Sequence, residues 1–120
     1  MNAQHKEART SKRVSVLLKG SYRINESDFP FSVMTAVNIS ETGICFVTDE
    51  LVPAGHSVEL NIVLPSNESL ALFAKTIWSF QLSQSNLFRT GLKILHTDSA
   101  EFKKFKAFYE ERLLYPPQIN

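Results

Sequence analysis

The sequence predicts a mostly β domain, a small antiparallel barrel or sandwich, that ends in one α-helix. Six short segments either alternate apolar and polar residues or are almost wholly apolar, and both patterns are typical of strands. The six segments are residues 14–22, 31–37, 44–48, 58–64, 70–80 and 88–95. Clusters of Pro, Gly, Asn and Ser separate most of them, as turns separate antiparallel strands. Helical spacing of apolar residues begins only after residue 97.

The first two predicted strands each show a face of alternate residues. In the first strand the alternating apolar residues are Val14, Val16, Leu18 and Tyr22. Gly20 lies among them and indicates a bulge or a bend, because glycine weakens a regular strand. In the second strand one face carries Phe31, Val33, Thr35 and Val37.

The remaining strands complete the predicted sheet. Residues 44–48 form a short and nearly continuous apolar strand, and residues 58–64 show the clearest alternation in the chain. Residues 70–80 and 88–95 are joined by a polar turn, which predicts a long hairpin with Gly91 near the middle of its second strand.

The C-terminal helix is predicted over about residues 98–114. Asp98 followed three residues later by Glu101 resembles a capping box, the side-chain pattern that begins many helices. Residues at helical spacing then follow: Phe102, Phe105, Tyr109, Arg112 and Leu113. This apolar stripe is expected to cover an open end or a side of the sheet. Pro116 and the next proline end the helix.

Composition indicates one globular domain with an uneven charge. A chain of 120 residues can bury a single core. Residues 1–23 contain six Lys or Arg residues against one Glu, a balance of +5, whereas the whole chain carries only +1. The N-terminal segment is therefore either a basic arm that meets an anion or a solvated tail. A single cysteine, the polar N-terminus and the absence of a long apolar run predict a cytoplasmic protein.

The connection between the second and third strands looks like half of a binding site. It contains Asn38, Ser40 and Gly43. Asn38 and Ser40 occupy alternate positions, which point to the same side of an extended backbone. Gly43 permits a left-handed or crowded backbone, so that another group can approach the main chain.

The other half is expected just before the first strand, at Arg9 and Arg13. The pattern Arg-x-x-x-Arg, followed about 25 residues later by Asn-x-Ser-x-x-Gly, resembles the PilZ domain family of bacterial receptors for cyclic di-GMP. The resemblance extends from Arg9 to the final helix. It implies a six-stranded antiparallel β-barrel with a C-terminal α-helix.

The chain is expected to divide into three parts. Residues 1–13 are expected to form a flexible arm that carries the arginines, residues 14–115 the barrel with its helix, and residues 116–120 a tail. Ligand binding is expected to order the arm and to present a new surface to a partner. The implied partner is an unidentified bacterial effector in motility, biofilm, secretion or exopolysaccharide control.

The ligand-binding residues implied by the resemblance are Arg9, Arg13, Asn38, Ser40 and Gly43. Arginine can donate two parallel hydrogen bonds to guanine and can also contact a phosphate. Lys12 and Trp78 are further candidates. Lys12 either contacts a phosphate or points to water, and Trp78 lies either near the ligand or in the core. Many family members have Asp at the position of Asn38, and many have an extra Arg near Ala8.

Enzymatic functions are disfavoured, and no cofactor or metal is expected besides the ligand. The three histidines show no metal-ligand spacing with Cys45, which lies in an apolar strand and is expected to be an inert core thiol. One alternative is a PilZ-like adaptor that acts through protein contacts without a nucleotide. A barrel that binds single-stranded nucleic acid is a second alternative, although the strand-rich middle of the chain is acidic on balance.

Overall fold

The computed structural model describes residues 12–25 and 30–116, and these residues form six strands and one helix. The elements are β1 (Val14–Ile24), β2 (Ser32–Ile39), β3 (Gly43–Thr48), β4 (Ser57–Val63), β5 (Ser69–Gln81), β6 (Phe88–Leu95) and α1 (Ala100–Leu114). The strands close into one barrel in the order β1-β2-β3-β6-β5-β4, and every neighbouring pair is antiparallel. The predicted six-stranded antiparallel barrel with a C-terminal helix is confirmed.

The two ends of the barrel are built differently. One end, here called the helix end, contains the start of β1, the β2–β3 turn and the β4–β5 turn. The other, the distal end, contains the last β1–β2 pair, Tyr22 opposite Ser32. Helix α1 covers the helix end, where its four buried aromatic residues join the barrel core. These are Phe102, Phe105, Phe108 and Tyr109. The predicted covering role of the helix is therefore confirmed.

Within residues 12–25 and 30–116, no helix has the length and the apolar character that a membrane span requires.

One local prediction about the first strand needs correction, and the structure shows which way a predicted face of the second strand points. The register of β1 against β2 shifts between Ser15 and Leu18, so the irregularity lies there and not at Gly20. Gly20 is required for a different reason, because a β-carbon there would lie 2.4 Å from the backbone oxygen of Asn61. On β2, the predicted face containing Val33 points outward, and Val33 is 81% exposed.

The helix begins one residue later than the capping pattern indicated. Ser99 is the N-cap, and its hydroxyl accepts a hydrogen bond from the amide of Phe102 at 3.0 Å. Asp98 therefore does not cap the helix. Glu101 does not complete a capping box either, because its carboxylate accepts a hydrogen bond from the amide of Ala71 on β5 at 2.9 Å. The acidic residue thus fastens the helix to the barrel.

The distal end contains a buried phenol with a perturbed pKa. The hydroxyl of Tyr22 donates a 2.6 Å hydrogen bond to the carboxylate of Glu50. Burial in the barrel, followed by the bond to Glu50, raises the pKa of Tyr22 well above its usual value of 10.0. Tyr22 therefore stays protonated when an exposed tyrosine would ionise.

Replacement of the helix cap tests the corrected helix start. Ser99→Ala should lower the free energy of unfolding by about 1 kcal/mol, because it removes the acceptor for an amide of the first turn. Asp98→Ala is the matched control and should change it by less than about 0.5 kcal/mol. Urea unfolding of both variants measures the difference, and a larger loss in Asp98→Ala would restore the original assignment.

Alkaline unfolding tests the environment of Tyr22. The pKa of Tyr22 is raised in the folded protein. The contribution of the neutral phenol to the free energy of unfolding is therefore fully present below pH 10, and it is lost as the pH rises from there towards the folded pKa. Above pH 10 the unfolding free energy of the wild type should fall more steeply than that of Tyr22→Phe, by up to about 1.4 kcal/mol per pH unit. Tyr115→Phe, at an exposed site, is the control. Parallel curves for the wild type and Tyr22→Phe would contradict the assignment.

Candidate functional site

A cleft of about 210 Å³ lies on the outside of the barrel, where the start of β1 and the β2–β3 turn meet the middle of β5 and β6. It combines two cationic side chains, two hydroxyls, a tryptophan and two glycines. The lining residues are Arg13, Ser40, Thr42, Gly43, Ile77, Trp78, Gly91, Leu92 and Lys93. Residues from both predicted halves of the site therefore lie in one place.

A direct side-chain hydrogen bond joins the two halves. The Nη1 atom of Arg13 donates to the Oδ1 atom of Asn38 at 2.7 Å, across 25 residues of sequence. The β1–β2 ladder begins next to both residues, with Val14 opposite Ile39. The acceptor is a neutral amide, so this bond orients the guanidinium without cancelling its charge.

Two backbone hydrogen bonds hold the β2–β3 turn, one within the turn and one from β6. Within the turn, the amide of Ser40 donates to the carbonyl of Gly43 at 2.9 Å. The amide of Ile94 on β6 donates to the carbonyl of Thr42 at the same distance. Ser40 is itself buried, at 8% exposure, although it lines the cleft. The turn is therefore a fixed wall of the cleft.

Gly43 is needed for space and not for an unusual backbone conformation. Among the described glycines only Gly55 has a positive φ angle, so the left-handed backbone considered for Gly43 does not occur. A β-carbon at Gly43 would lie 2.9 Å from the hydroxyl of Ser40 and 3.8 Å from the Nη2 atom of Arg13. The distance to the guanidinium is an ordinary contact, so the close approach that requires glycine is that of the Ser40 hydroxyl.

Trp78 lies at the edge of the cleft and not in the barrel core. A register shift in β5 between Thr76 and Trp78 marks a bulge, which re-aims side chains at a site. Trp78 packs over Gly91 of β6, its partner in the ladder, and stacks on Phe80 with ring centroids 5.2 Å apart. The side chain is 37% exposed. A flat aromatic surface is therefore available at the cleft.

The remaining candidates from the sequence are placed differently. Lys12 is exposed and does not line the cleft; its main-chain carbonyl accepts a hydrogen bond from Tyr109. Arg9 lies outside the described residues, so its predicted contact with a ligand stays a prediction. The division of the chain at residue 13 also stays a prediction.

The cleft is also lined by Lys93, Thr42 and Ile77, which the sequence patterns did not indicate as site residues. Lys93 lies opposite Gly43 in the β3–β6 ladder. This pairing joins strands that are not consecutive in the chain, and periodicity within each strand carries no information about it. The sequence does contain one indication that Lys93 lies on the cleft side of β6. Lys93 is two residues after Gly91, so the two residues share one face of the strand.

The lining residues suit binding of an anion that carries a planar ring. Arg13 and Lys93 supply positive charge, and Trp78 supplies a surface for stacking. Among the described residues that line the cleft there is no carboxylate, imidazole or thiol to act as a general base. Cys45 is buried in β3, as expected of a core thiol.

A larger cavity of about 440 Å³ lies at the distal end, bounded in part by Tyr22, Ser32, Glu50 and Val52. None of the described residues that were predicted to bind a ligand lines it. Volume alone does not identify a binding site, whereas the smaller cleft brings together the two motifs. The cleft is therefore the candidate site.

Comparisons with known proteins agree with the observed fold. The family profile of the PilZ domain matches residues 7–111. A search of curated protein sequences returned no match.

Three solved structures illustrate the likeness of the fold. Bacillus subtilis inhibitor of motility, MotI/DgrA, superposes with a TM-score of 0.73 at 19% identity, over 92% of this chain and 53% of that chain. The PilZ domain of YcgR from Escherichia coli, with c-di-GMP, gives 0.64 at 12% identity, over 88% and 95%. Borreliella burgdorferi PlzA in complex with c-di-GMP gives 0.57 at 14% identity, over 98% and 57%. This chain therefore spans about half the length of MotI/DgrA.

The packing of Trp78 on Gly91 can be tested by fluorescence, because Trp78 is the only tryptophan of the chain. In Gly91→Ala the new β-carbon would lie 2.3 Å from the Cε2 atom of the ring, so the ring must move. We expect a shifted emission maximum with a folded barrel, because the clashing atoms belong to a side chain at the surface.

Gly20→Ala is the control for general disturbance of the barrel. Its new β-carbon meets the backbone of Asn61, so it should lower the unfolding temperature and leave the emission of the folded protein unchanged. An unshifted emission maximum in Gly91→Ala would contradict the packing described above.

Proposed function

The chain belongs to the PilZ domain family, and on that premise we propose that it is a receptor for cyclic di-GMP that signals to a partner protein. The main support is the 2.7 Å hydrogen bond between Arg13 and Asn38. It brings the arginine motif and the Asn-x-Ser-x-x-Gly motif together at the cleft, as a joint binding site requires.

The chemistry of the cleft fits the two parts of this ligand. Guanine offers the O6 and N7 acceptors to Arg13, and its N–H donors suit the side-chain oxygens of Asn38 and Ser40. The guanidinium of Arg13 and the ammonium of Lys93 can also meet phosphate oxygens, through charge-assisted hydrogen bonds. Stacking of a base on Trp78 adds about 1–3 kcal/mol in comparable sites.

The neutral side chain of Asn38 has two opposing effects on affinity. Its hydrogen bonds to guanine are weaker than those of a carboxylate, because they lack charge assistance. It also leaves the charge of Arg13 available for a phosphate, since an amide does not neutralise a guanidinium. We propose that Arg13 gives up or shares its bond to Asn38 when the ligand enters.

The solved structures support a signalling role over catalysis. The structures of YcgR and PlzA contain c-di-GMP, and MotI/DgrA is an inhibitor of motility. We propose that this chain acts in the same kind of pathway, as a receptor and not as an enzyme. The arm of residues 1–13, including Arg9, would close over the bound dinucleotide and present a new surface to the effector.

Titration calorimetry with cyclic di-GMP tests the proposal. The wild type should bind, and Arg13→Ala should bind at least about 100-fold more weakly, because two charge-assisted hydrogen bonds of about 1.5–3 kcal/mol each are lost. The unfolding temperature of Arg13→Ala should remain close to that of the wild type, since Arg13 is exposed and precedes the first ladder pair.

Two controls make the result specific. Lys19→Ala removes the same charge from an exposed position in the middle of β1 and should leave the affinity within about twofold. Cyclic di-AMP carries phosphates but lacks the guanine edge and should not bind at the same concentrations. Unchanged affinity in Arg13→Ala would remove the arginine from the site. Absence of wild-type binding at micromolar concentration would favour the adaptor that binds no nucleotide.

A further inference from the structure

A buried tyrosine of helix α1 contacts the main chain next to Arg13. The hydroxyl of Tyr109 donates a 2.7 Å hydrogen bond to the carbonyl oxygen of Lys12, across 97 residues of sequence. The ring of Tyr109 lies in the barrel core and is only 4% exposed. Its position is therefore set by packing, and its hydroxyl is a fixed donor at the edge of the core.

The carbonyl of Lys12 belongs to the peptide unit that leads into Arg13. This peptide unit is planar, so a hydrogen bond to its oxygen also fixes the orientation of the Arg13 nitrogen. The β1–β2 ladder begins only at Val14, opposite Ile39. The bond from Tyr109 thus acts on the part of the chain that the barrel ladder does not hold.

A second contact from the same helix reaches the other half of the site. The ammonium of Lys106 lies 3.4 Å from the carboxylate of Glu41, which is in the β2–β3 turn. Lys106 and Tyr109 are three residues apart and share one side of the helix. An exposed ion pair contributes little by itself, but its placement means that α1 contacts the chain next to both halves of the site, at Lys12 and at Glu41.

We propose that Tyr109 is a positioning residue that holds Arg13 in its binding-competent place before the ligand arrives. This proposal rests on the proposed function. Any segment that becomes ordered only when the ligand binds loses conformational entropy, and that loss opposes binding. The hydroxyl of Tyr109 performs part of the ordering in advance, so a larger fraction of the ligand-free protein can bind. The apparent affinity rises in proportion to that fraction.

The same contact links the helix to the ligand. If the Lys12–Tyr109 bond favours binding, then binding must favour that bond by the same factor, because coupling between two sites is reciprocal. Ligand binding should therefore hold α1 more firmly on the barrel. The helix is in this way a second element, besides the arm of residues 1–13, that responds to occupancy of the cleft.

The test compares two Tyr→Phe variants that each remove one buried hydroxyl. Tyr109→Phe removes the donor to Lys12 and keeps the ring in the core. Tyr22→Phe is the matched control, because Tyr22 is also 4% exposed and its hydroxyl also makes a short side-chain bond, but at the distal end. A purely structural role would affect stability in both variants and ligand affinity in neither.

Two measurements are made on each protein. In the ligand-free state, the amide order parameter of Arg13 should fall in Tyr109→Phe from about 0.85 towards 0.6 or below and should stay unchanged in Tyr22→Phe. In calorimetry, cyclic di-GMP should bind Tyr109→Phe roughly fivefold more weakly than the wild type, the effect of one neutral hydrogen bond. Binding to Tyr22→Phe should match the wild type.

The outcomes separate this proposal from the proposed function. An unchanged order parameter at Arg13 in Tyr109→Phe overturns the positioning role, and so does a lowered order parameter with unchanged affinity. Failure of the wild type to bind cyclic di-GMP contradicts the receptor function instead. In that case the ligand-free order parameter alone decides whether Tyr109 positions Arg13.

Discussion

The candidate site depends on the register between β1 and β2. Val14 pairs with Ile39, and this pairing brings Arg13 to Asn38 although 25 residues separate them. A slip of one residue would turn every side chain of β1 to the opposite face of the sheet. The barrel core opposes such a slip, because Leu18 and Tyr22 of β1 are buried on the inner face. The hydrophobic core of the barrel therefore fixes the geometry of an exposed polar site.

Sequence patterns predicted what depends on neighbouring residues and missed what depends on strand pairing. The strands and the turn around Ser40 follow from local alternation and from turn chemistry. Lys93 enters the cleft only because β6 pairs with β3, and no local pattern encodes that pairing. The helix start shows the same limit on a smaller scale. Asp98 and Ser99 are both good caps by residue type, but Ser99 is the cap in the structure, and Glu101 bonds to the backbone of β5.

Glycines illustrate why residue identity alone does not state a physical role. The sequence indicated an irregular backbone at Gly20 and a left-handed or crowded one at Gly43, since glycine tolerates both. In the structure both positions are occupied by glycine because another group comes close: a backbone oxygen of β4 at Gly20, and a hydroxyl with a guanidinium nearby at Gly43. Gly91 makes room for the ring of Trp78 in the same way. Close approach depends on the neighbouring strand, which the sequence of one strand cannot specify.

Helix α1 shows how one element can serve both the stability of the barrel and the geometry of the site. Its aromatic rings fill the helix end of the barrel, and removal of any of these rings would leave a cavity in the core. The hydroxyl of Tyr109 and the ammonium of Lys106 extend from the same helix to Lys12 and Glu41, which lie next to cleft-lining residues. Packing and the helix backbone already hold these two side chains, so their polar atoms act near the site without being part of the core. Under the proposed role of Tyr109, occupancy of the cleft acts on α1 through the contact with Lys12, while the apolar packing that keeps the barrel closed stays the same.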